Sequence, residues 1–355
     1  MSHDISFLER LLDAPGPSGF EVRAARVWRE EAESFADEVR VDVSGNSFAT
    51  VRGTGSRGVM LAGHIDEIGL QITHIDKEGF LYVDGIGGWD PQVLVGQRMT
   101  ILSRGGDVTG VVGKKAIHLM TPEDRTQASK MKNLWVDVGA KSREEVLELG
   151  VRVGDPMVIA QPMTRLAGDR IASRAIDNRI GAFVVLEALR RLAPERPLAS
   201  TTAVATVQEE IGHSGGGART SAYVLKPDVA IVVDVTFSTD VPDVEKKELG
   251  EHEVGGGPVL SRGSSSHNEV FEALAVTAEE EGIPFTIQAS PVATRTDADG
   301  IHLTRRGVPT AVISVPNRYM HSPNEVVSVR DLFRTADLIA AFVRSIDAQT
   351  DFTPR

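Results

Sequence analysis

The sequence predicts an α/β protein in which an α/β domain is interrupted by a β-rich inserted domain. Patterns typical of helices and strands alternate near both ends of the 355-residue chain, whereas the middle holds short strand-like runs with little helical periodicity. The length exceeds that of one ordinary domain, and a hydrophobic content of 41% is enough for a substantial core. We therefore predict one domain from residues 1–70 and 165–355, and a second from residues 71–164.

The first segment is predicted to contain two helices followed by three strands. Apolar residues at three- and four-residue spacing indicate helices from Ser6 to Leu12 and from Glu21 to Phe35. Apolar or β-branched runs punctuated by glycine indicate strands at Val39 to Val43, Ser47 to Val51 and Gly58 to Ala62. The last of these strands stops just before His64.

The middle of the chain differs in texture from the part that follows it. From about Leu70 to Arg165, short runs with Gly or Asp near their ends indicate a β-rich domain, as in LQITHI, RMTILS and VTGVVG. After Arg165, helices are predicted at Gly181 to Leu192, Val270 to Glu281 and Val329 to Ile346. Strands are predicted between them, at Thr201 to Val207, Val229 to Val233, Phe285 to Ala289 and Thr310 to Val315.

Composition excludes several classes of function. The chain has no cysteine, so any metal must be bound by His, Asp and Glu, a ligand set that suits zinc, cobalt or manganese. A net charge of -12 argues against nucleic-acid binding. No run reaches the roughly 18 apolar residues of a membrane helix, and the opening residues lack a basic segment followed by an apolar one. We predict a cytoplasmic protein without a membrane partner.

Candidate functional residues lie directly after predicted strands, where open α/β sheets bind their ligands. Potential metal ligands follow four apolar runs: His64, Asp66 and Glu67; Glu209 and Glu210; Asp234; and His321. A fifth candidate, Asp177, precedes a helical stretch and could bridge two ions with its two oxygens. Each position alone is typical of a cap or a loop hydrogen bond, but their joint occurrence favours a metal site.

Local geometry predicts how some of these side chains divide their tasks. Adjacent residues of a strand point in opposite directions, so one of Glu209 and Glu210 can bind metal while the other transfers protons. His64 and Asp66 share a face, so Asp66 can orient the imidazole. His213, three residues after Glu210, is an alternative ligand, although its glycine-rich surroundings indicate a loop.

Seven ordered motifs connect these residues to a known family. They are APGPSGFE, GHIDEIG, GGWDPQ, SRAIDNRIG, VQEEIG, VVDVT and RYMHSPNE. With these motifs, over nearly its whole length, the chain resembles the TET-type (tetrahedral) dinuclear metallo-aminopeptidases, which include glutamyl and deblocking aminopeptidases and proteins once labelled cellulases. The resemblance implies a mixed-sheet catalytic domain of the phosphorylase/hydrolase-like, zinc-peptidase type, and a barrel-like dimerisation domain in the inserted segment.

The resemblance also implies a ligand set. His64 and Asp234 would bind one metal ion, and Glu210 and His321 would bind the other. Asp177 would bridge the two. The expected cofactors are two divalent ions per subunit, zinc first, with cobalt or manganese as alternatives.

The implied activity is hydrolysis of N-terminal residues from peptides through a water that bridges the two ions. Glu209 would be the general base, with Asp66 behind His64. The resemblance further implies a homo-oligomer in which dimers assemble into a tetrahedral dodecamer. Two sequence departures bear on the substrate pocket: the glycine-rich IGHSGGGA after Glu210, and Arg295 in TRTDADG where the family has glycine. Arg295 suggests a pocket for acidic side chains.

Two kinds of alternative stay open, and a third is disfavoured. A carboxypeptidase or an N-acyl deacylase would use the same metal site. A catalytically silent assembly or binding protein would keep the fold without turnover. A cellulase would use paired carboxylates, but it would leave His64 and His321 idle, and an aromatic content of 5% supplies few residues for sugar stacking.

Overall fold

The computed structural model describes residues 4–212 and 215–354. The first segment contains α1 (Ser6–Asp13), α2 (Val22–Ala32), β1 (Glu38–Val41), β2 (Ser47–Val51) and β3 (Gly58–His64). The inserted segment contains β4 (Gly69–Ile75), β5 (Leu81–Ile86), α3 (Pro91–Leu94), β6 (Arg98–Ser103), β7 (Gly106–Gly113), α4 (Pro122–Arg125), β8 (Trp135–Asp137), α5 (Arg143–Glu148) and β9 (Pro156–Ile159).

The last segment returns to alternating helices and strands. It contains β10 (Thr164–Arg165), β11 (Arg170–Ser173), α6 (Ile176–Leu192), β12 (Ser200–Thr206), α7 (Gly216–Leu225), β13 (Val229–Phe237), α8 (Lys246–Leu249), β14 (Val259–Gly263), α9 (Asn268–Glu280), β15 (Thr286–Ser290), α10 (Ala298–Ile301), β16 (Thr310–Asn317), β17 (Glu325–Ser328) and α11 (Val329–Ser345). Within the described ranges, no helix is both long enough and apolar enough to cross a membrane.

The main sheet has eight strands in the order β1-β2-β12-β3-β13-β16-β14-β15. Its four central strands, β12, β3, β13 and β16, are parallel to their neighbours in this group, whereas β2 and β14 pair antiparallel with β12 and β16. A smaller sheet joins β10, β11 and β17. The predicted α/β class with a mixed sheet is therefore confirmed.

The central strands are apolar on both faces because helices cover both sides of the sheet. Leu61, Ile231 and Ala203 belong to the larger core, which also contains buried residues of α1, α2, α6, α9 and α11. Their strand neighbours Met60 and Val232 belong to a second core with residues of α7 and α10. This double burial explains why the predicted strands are continuous apolar runs rather than alternating ones.

A pair of glycines brings α6 close to the sheet beneath the site. A Cβ on Gly63 would lie 2.4 Å from the carbonyl carbon of Gly181, and a Cβ on Gly181 would lie 2.6 Å from the carbonyl oxygen of Val233. Neither glycine can carry a side chain without a shift of backbone atoms. The start of α6 is consequently held against the ends of β3 and β13.

The inserted segment forms a closed barrel in the order β4-β5-β8-β7-β6-β9. The barrel has its own hydrophobic core, built around residues such as Leu70, Ile101 and Met157. Its strands extend from Gly69 to Ile159, which compares with the predicted inserted domain at residues 71–164.

Some elements were not predicted from sequence. Helix α7, which follows the glycine-rich segment after Glu210, was not predicted. Strands β14 and β17, of five and four residues, were not predicted either. Short strands carry too little periodicity to be recognised locally. The helix predicted from Gly181 begins earlier, but Asp177 and Asn178 within it have non-helical backbone angles.

Candidate metal centre

The predicted site residues converge at one edge of the main sheet. His64 is the last residue of β3, and Asp234 lies near the end of β13. Glu209 and Glu210 follow β12, and His321 follows β16. Asp177 lies opposite these strand ends, at the start of α6. This convergence at the carboxyl edge of a parallel array is typical of ligand sites in α/β sheets.

Two groups of three residues each present ligand atoms that lie within 4.8 Å of one another. One group is His64, Asp177 and Asp234, and the other is Asp177, Glu210 and His321. Asp177 belongs to both because its oxygens diverge: Oδ1 lies 3.3 Å from His64 Nε2, and Oδ2 lies 3.3 Å from His321 Nε2. The Nε2 atom of His321 is also 3.2 Å from Glu210 Oε2.

Asp66 is fully buried and organises the residues around it. Its Oδ1 lies 3.3 Å from His64 Nδ1 and accepts the backbone N–H of Glu209, while Oδ2 accepts the backbone N–H of Glu210 and the hydroxyl of Ser18. Burial opposes its ionisation, but the hydrogen bonds outweigh burial and lower the pKa of Asp66. Asp66 therefore contacts the histidine and also anchors the turn that carries both glutamates.

Burial and neighbouring carboxyl groups shift the pKa values of the residues in the centre. They raise the pKa of Glu209 to about 10 and that of Glu210 to about 7, and they raise the pKa of Asp234 well above its usual value. For His321, burial disfavours the charged ring, but hydrogen bonds to Asp177 and Glu210 outweigh it and raise the pKa to about 11. Hydrogen bonds also outweigh burial at His64 and Asp177: they raise the pKa of His64 and lower the pKa of Asp177.

The residues present fit divalent cations. Imidazole nitrogens and carboxylate oxygens are the donors that zinc, cobalt and manganese accept. Glu210 Oε1 is buried without a hydrogen-bond partner among the described residues, as expected for an oxygen directed at a cation. Bound cations would also offset the repulsion that raises the pKa values of the carboxyl groups.

The centre opens into a cavity of about 900 Å³. Glu209 lines this cavity and belongs to neither ligand group; its Oε2 lies 3.8 Å from His64 Nε2. Another cavity of about 1080 Å³ lies at the opposite edge of the sheet, near the first residues of β3, β13 and β16, and none of the predicted site residues lines it. Of these two cavities, the first is therefore the one that the predicted metal ligands line.

Comparison with known proteins identifies the family. The model of the M42 glutamyl aminopeptidase family matches residues 45–338. The chain belongs to this family. Lysyl aminopeptidase from Pyrococcus furiosus is 37% identical over 354 residues, which cover 99% of either protein.

Solved structures agree with this family membership. A TET aminopeptidase from a marine sediment Thaumarchaeota archaeon has a TM-score of 0.92 at 35% identity, over 97% of either chain. The Pyrococcus horikoshii TET1 peptidase, described as assembling into a tetrahedron or a large octahedral shell, has a TM-score of 0.84 at 30% identity, over 96% of this chain and 99% of its own. The predicted resemblance to TET-type aminopeptidases is confirmed.

One candidate ligand of this M42 chain has a different environment. Glu67 is buried away from both ligand groups, where its carboxylate accepts hydrogen bonds from Arg174, Arg179 and the backbone of Gly16. It is therefore an ion-pair partner, and the prediction that it offers a metal ligand is wrong. The alternative ligand His213 lies outside the described residues.

Two buried acids that sequence reasoning missed lie next to the candidate metal centre. Asp297 lines the cavity, accepts a hydrogen bond from Thr206, and has its pKa raised to about 6 by burial. Glu325 accepts the backbone N–H of Asp177 at 2.8 Å. Both residues lie in motifs quoted above, TRTDADG and RYMHSPNE, but nothing in their local pattern separates them from a surface acid.

Proposed function

We propose that this protein is a two-metal aminopeptidase that removes N-terminal residues from peptides. Its membership of the M42 aminopeptidase family supports the reaction class. The observation that carries the two-metal part is the position of Asp177, whose two oxygens each lie 3.3 Å from a different histidine. A carboxylate shared in this way is suited to bridge the ions of a two-metal hydrolase.

His64 and Asp234 would hold one ion, and Glu210 and His321 would hold the other. Asp177 would contact both. When bound, the ions supply Lewis acidity toward the scissile carbonyl and lower the pKa of water. Zinc is the expected metal, with cobalt or manganese as alternatives, because the ligands are imidazoles and carboxylates without thiolates.

Glu209 is assigned proton transfer. Its Oε2 lies 3.8 Å from His64 Nε2, and its backbone N–H is held by Asp66, so the side chain projects from an anchored turn. From there it would take a proton from the attacking water and deliver it to the leaving amine, a contribution of roughly 10²- to 10⁴-fold. The acidic cavity would in addition attract the free ammonium group of a peptide N-terminus.

The cavity also suggests a preference for acidic N-terminal side chains. Arg219 and Arg295 line it, and no ion pair joins either guanidinium to another described residue. Asp299 lines the same cavity but is already engaged, because it accepts hydrogen bonds from Ser265, Thr294 and the backbone of Arg295. The guanidiniums of Arg219 and Arg295 are therefore available to a substrate side chain, and guanidiniums pair well with carboxylates.

We further propose that the protein is a homo-oligomer whose barrel mediates dimer contacts, with a tetrahedral dodecamer as the expected assembly. Support comes from the TET1 peptidase of Pyrococcus horikoshii, which can assemble into a tetrahedron or an octahedral shell. An assembly of this kind would give the barrel, which has its own hydrophobic core, a role outside the metal centre.

The first test compares metal-stripped and reconstituted protein on peptides with free and N-acetylated N-termini. We expect zinc, cobalt or manganese to restore cleavage of free N-termini only. Glu209→Gln should retain both ions and lose most activity, whereas Glu280→Gln, an exposed substitution on α9, should behave as wild type. Cleavage confined to acetylated peptides would favour a deacylase, release of C-terminal residues would favour a carboxypeptidase, and two bound ions without turnover would favour a silent assembly protein.

A further inference from the structure

Glu325 is a buried acid that belongs to neither ligand group. It is the first residue of β17, and 2% of its surface is exposed. Its Oε2 accepts the backbone N–H of Asp177 at 2.8 Å and the side-chain amide of Asn317 at 2.9 Å. One carboxylate oxygen therefore connects the end of β16 to the backbone of the shared ligand.

The backbone at Asp177 needs such a contact because no regular helix holds it. Ala175 has a left-handed conformation with φ of 58°, and Asp177 has φ of -74° and ψ of 106°, outside the helical range. The side chain of Asn178 holds the following turn, through hydrogen bonds with the carbonyl of Val233 and the N–H of Gly181. Glu325 provides the corresponding contact on the N-terminal side.

Strand pairing fixes where this contact is made. Strands β11 and β17 are antiparallel, and Glu325 is paired with Ser173, four residues before Asp177. The chain leaves β11 at Ser173 and turns directly into the segment that contains Asp177. The carboxylate of Glu325 contacts this segment from the paired strand β17. Packing alone would not require an acid at this position, since burying a carboxylate near Asp177 carries an electrostatic cost.

Building on the proposed function, we propose that Glu325 is a positioning residue for the metal pair. It fixes the backbone of Asp177 so that one carboxylate oxygen faces His64 while the other faces His321. A small rotation of Asp177 would move both oxygens, because they belong to one rigid carboxylate. Loss of the contact should therefore lower the affinity for one of the two ions. It should also slow turnover more than it weakens peptide binding.

Two substitutions separate the hydrogen-bond acceptor from the charge. In Glu325→Gln, the amide oxygen can take the place of Oε2 and accept both hydrogen bonds. In Glu325→Met, the side chain has similar length but no comparable acceptor. The readouts are zinc ions bound per chain, measured by elemental analysis after dialysis, and kcat and KM on a peptide with a free N-terminus.

We expect Glu325→Gln to retain two ions and a kcat within a few-fold of wild type. In Glu325→Met, kcat or the affinity for the more weakly bound of the two ions should fall about 10- to 100-fold, with a smaller change in KM. Circular dichroism and thermal unfolding establish that each variant is folded. If Glu325→Met cannot be purified, Glu325→Asp provides the same comparison, because the shorter side chain withdraws the acceptor from the Asp177 N–H.

Two results would overturn the inference: two tightly bound ions with unchanged kcat in Glu325→Met, or an equal loss in Glu325→Gln and Glu325→Met. The first would mean that Asp177 is held without the contact, and the second would mean that charge rather than hydrogen bonding matters. A wild-type chain that binds fewer than two ions and cleaves no peptide would instead overturn the proposed function, and this inference with it.

Discussion

Glu209 and Glu210 are adjacent in sequence, yet their carboxylates approach different histidines. Glu209 Oε2 is 3.8 Å from His64 Nε2, and Glu210 Oε2 is 3.2 Å from His321 Nε2. The predicted cause, strand alternation, is wrong because β12 ends at Thr206. The two glutamates instead follow Gln208, whose φ is 61°, in a turn anchored on Asp66. A turn of this kind can direct neighbouring side chains more freely than a strand can.

At the scale of single residues, metal binding should release protons. The raised pKa values of Glu210, about 7, and His321, about 11, mean that the metal-free centre holds protons that cations must displace. Acids and imidazoles bind metal in their deprotonated forms, so apparent affinity should fall as pH falls, by about tenfold per unit for each proton displaced. Calorimetric zinc titrations at pH 6 to 8, in buffers of different ionisation enthalpy, measure the proton count.

Asp177→Asn is the comparison variant for these zinc titrations, because it replaces the carboxylate that both ligand groups share with an amide. It should bind fewer ions and release fewer protons than wild type. Zinc binding at pH 7 without proton release would contradict the picture of a protonated metal-free centre.

Substrate preference also belongs to individual residues. Removing the guanidiniums with Arg219→Ala and Arg295→Gly should reduce the preference for N-terminal Glu over Leu by about 10- to 100-fold, because hydrogen bonds between charged groups contribute roughly 1.5–3 kcal/mol. Glycine suits position 295, where φ is 57°. Ratios of kcat/KM across a peptide series provide the measurement.

Arg26→Ala serves as the control, since Arg26 is exposed on α2 and does not line the cavity. An unchanged Glu-to-Leu ratio in the double variant would eliminate the acidic-pocket proposal and leave the metal centre untouched.

At the scale of elements, a buried ionic cluster joins three segments behind the site. Glu67 follows β3, Arg174 precedes α6, and Arg179 lies in the first turns of α6; all three are buried. Arg179 also donates hydrogen bonds to the carbonyls of Leu11 and Ile65. Burial lowers its pKa to about 10, which still leaves it charged at neutral pH. The cluster therefore attaches α1 and the start of α6 to the loop that carries Asp66.

Glu67→Ala should destabilise the fold by about 3–5 kcal/mol, because it leaves two buried guanidiniums without their counter-ion. Urea unfolding of metal-stripped protein measures this without interference from ion release. Glu195→Ala is the control: it breaks an ion pair with Arg344 that water already solvates, and it should leave the unfolding midpoint nearly unchanged. Equal midpoints for Glu67→Ala and wild type would refute the expected role of the cluster.

At the scale of the whole molecule, the chain has a barrel core separate from the cores of the main sheet. The segment between β7 and β8 exposes large apolar side chains, with Ile117 60% and Leu119 71% accessible. Apolar side chains exposed near one another on a folded domain are typical of a surface that another chain covers. This location agrees with the proposed role of the barrel in dimer contacts.

Introducing charges with Ile117→Asp and Leu119→Asp should lower the molecular mass in solution, because aspartate is costly to bury in an apolar interface. Light scattering after size-exclusion chromatography measures the mass. Val43→Asp is the control, since Val43 is fully exposed on the β1–β2 hairpin, outside the barrel. If the mass of the double variant equalled that of wild type, this part of the barrel would not be an assembly contact.

Much of the fold and of the centre could be predicted locally. The lack of cysteine restricted the ligands to His, Asp and Glu. The apolar runs located both ends of β3, β12 and β16 to within two residues, whereas β13 begins at its predicted residue and ends four residues later than predicted. Because parallel strands present their carboxyl ends at one edge, the residues after them were expected to meet. Periodicity and strand order are properties of neighbouring residues, which explains this success.

Distances between remote residues depend on packing, and local pattern does not contain them. Glu67 and Asp66 are adjacent, yet Asp66 contacts His64 while Glu67 binds Arg174 and Arg179, more than a hundred residues away. The same applies to Asp297 and Glu325, whose burial arises from contacts with Thr206 and Asp177. The alternation of elements and the chemistry of the ligands follow from the chain itself. The partner of each buried acid follows from sheet pairing and from the close approach of α6, since folding brings together groups that the sequence keeps far apart.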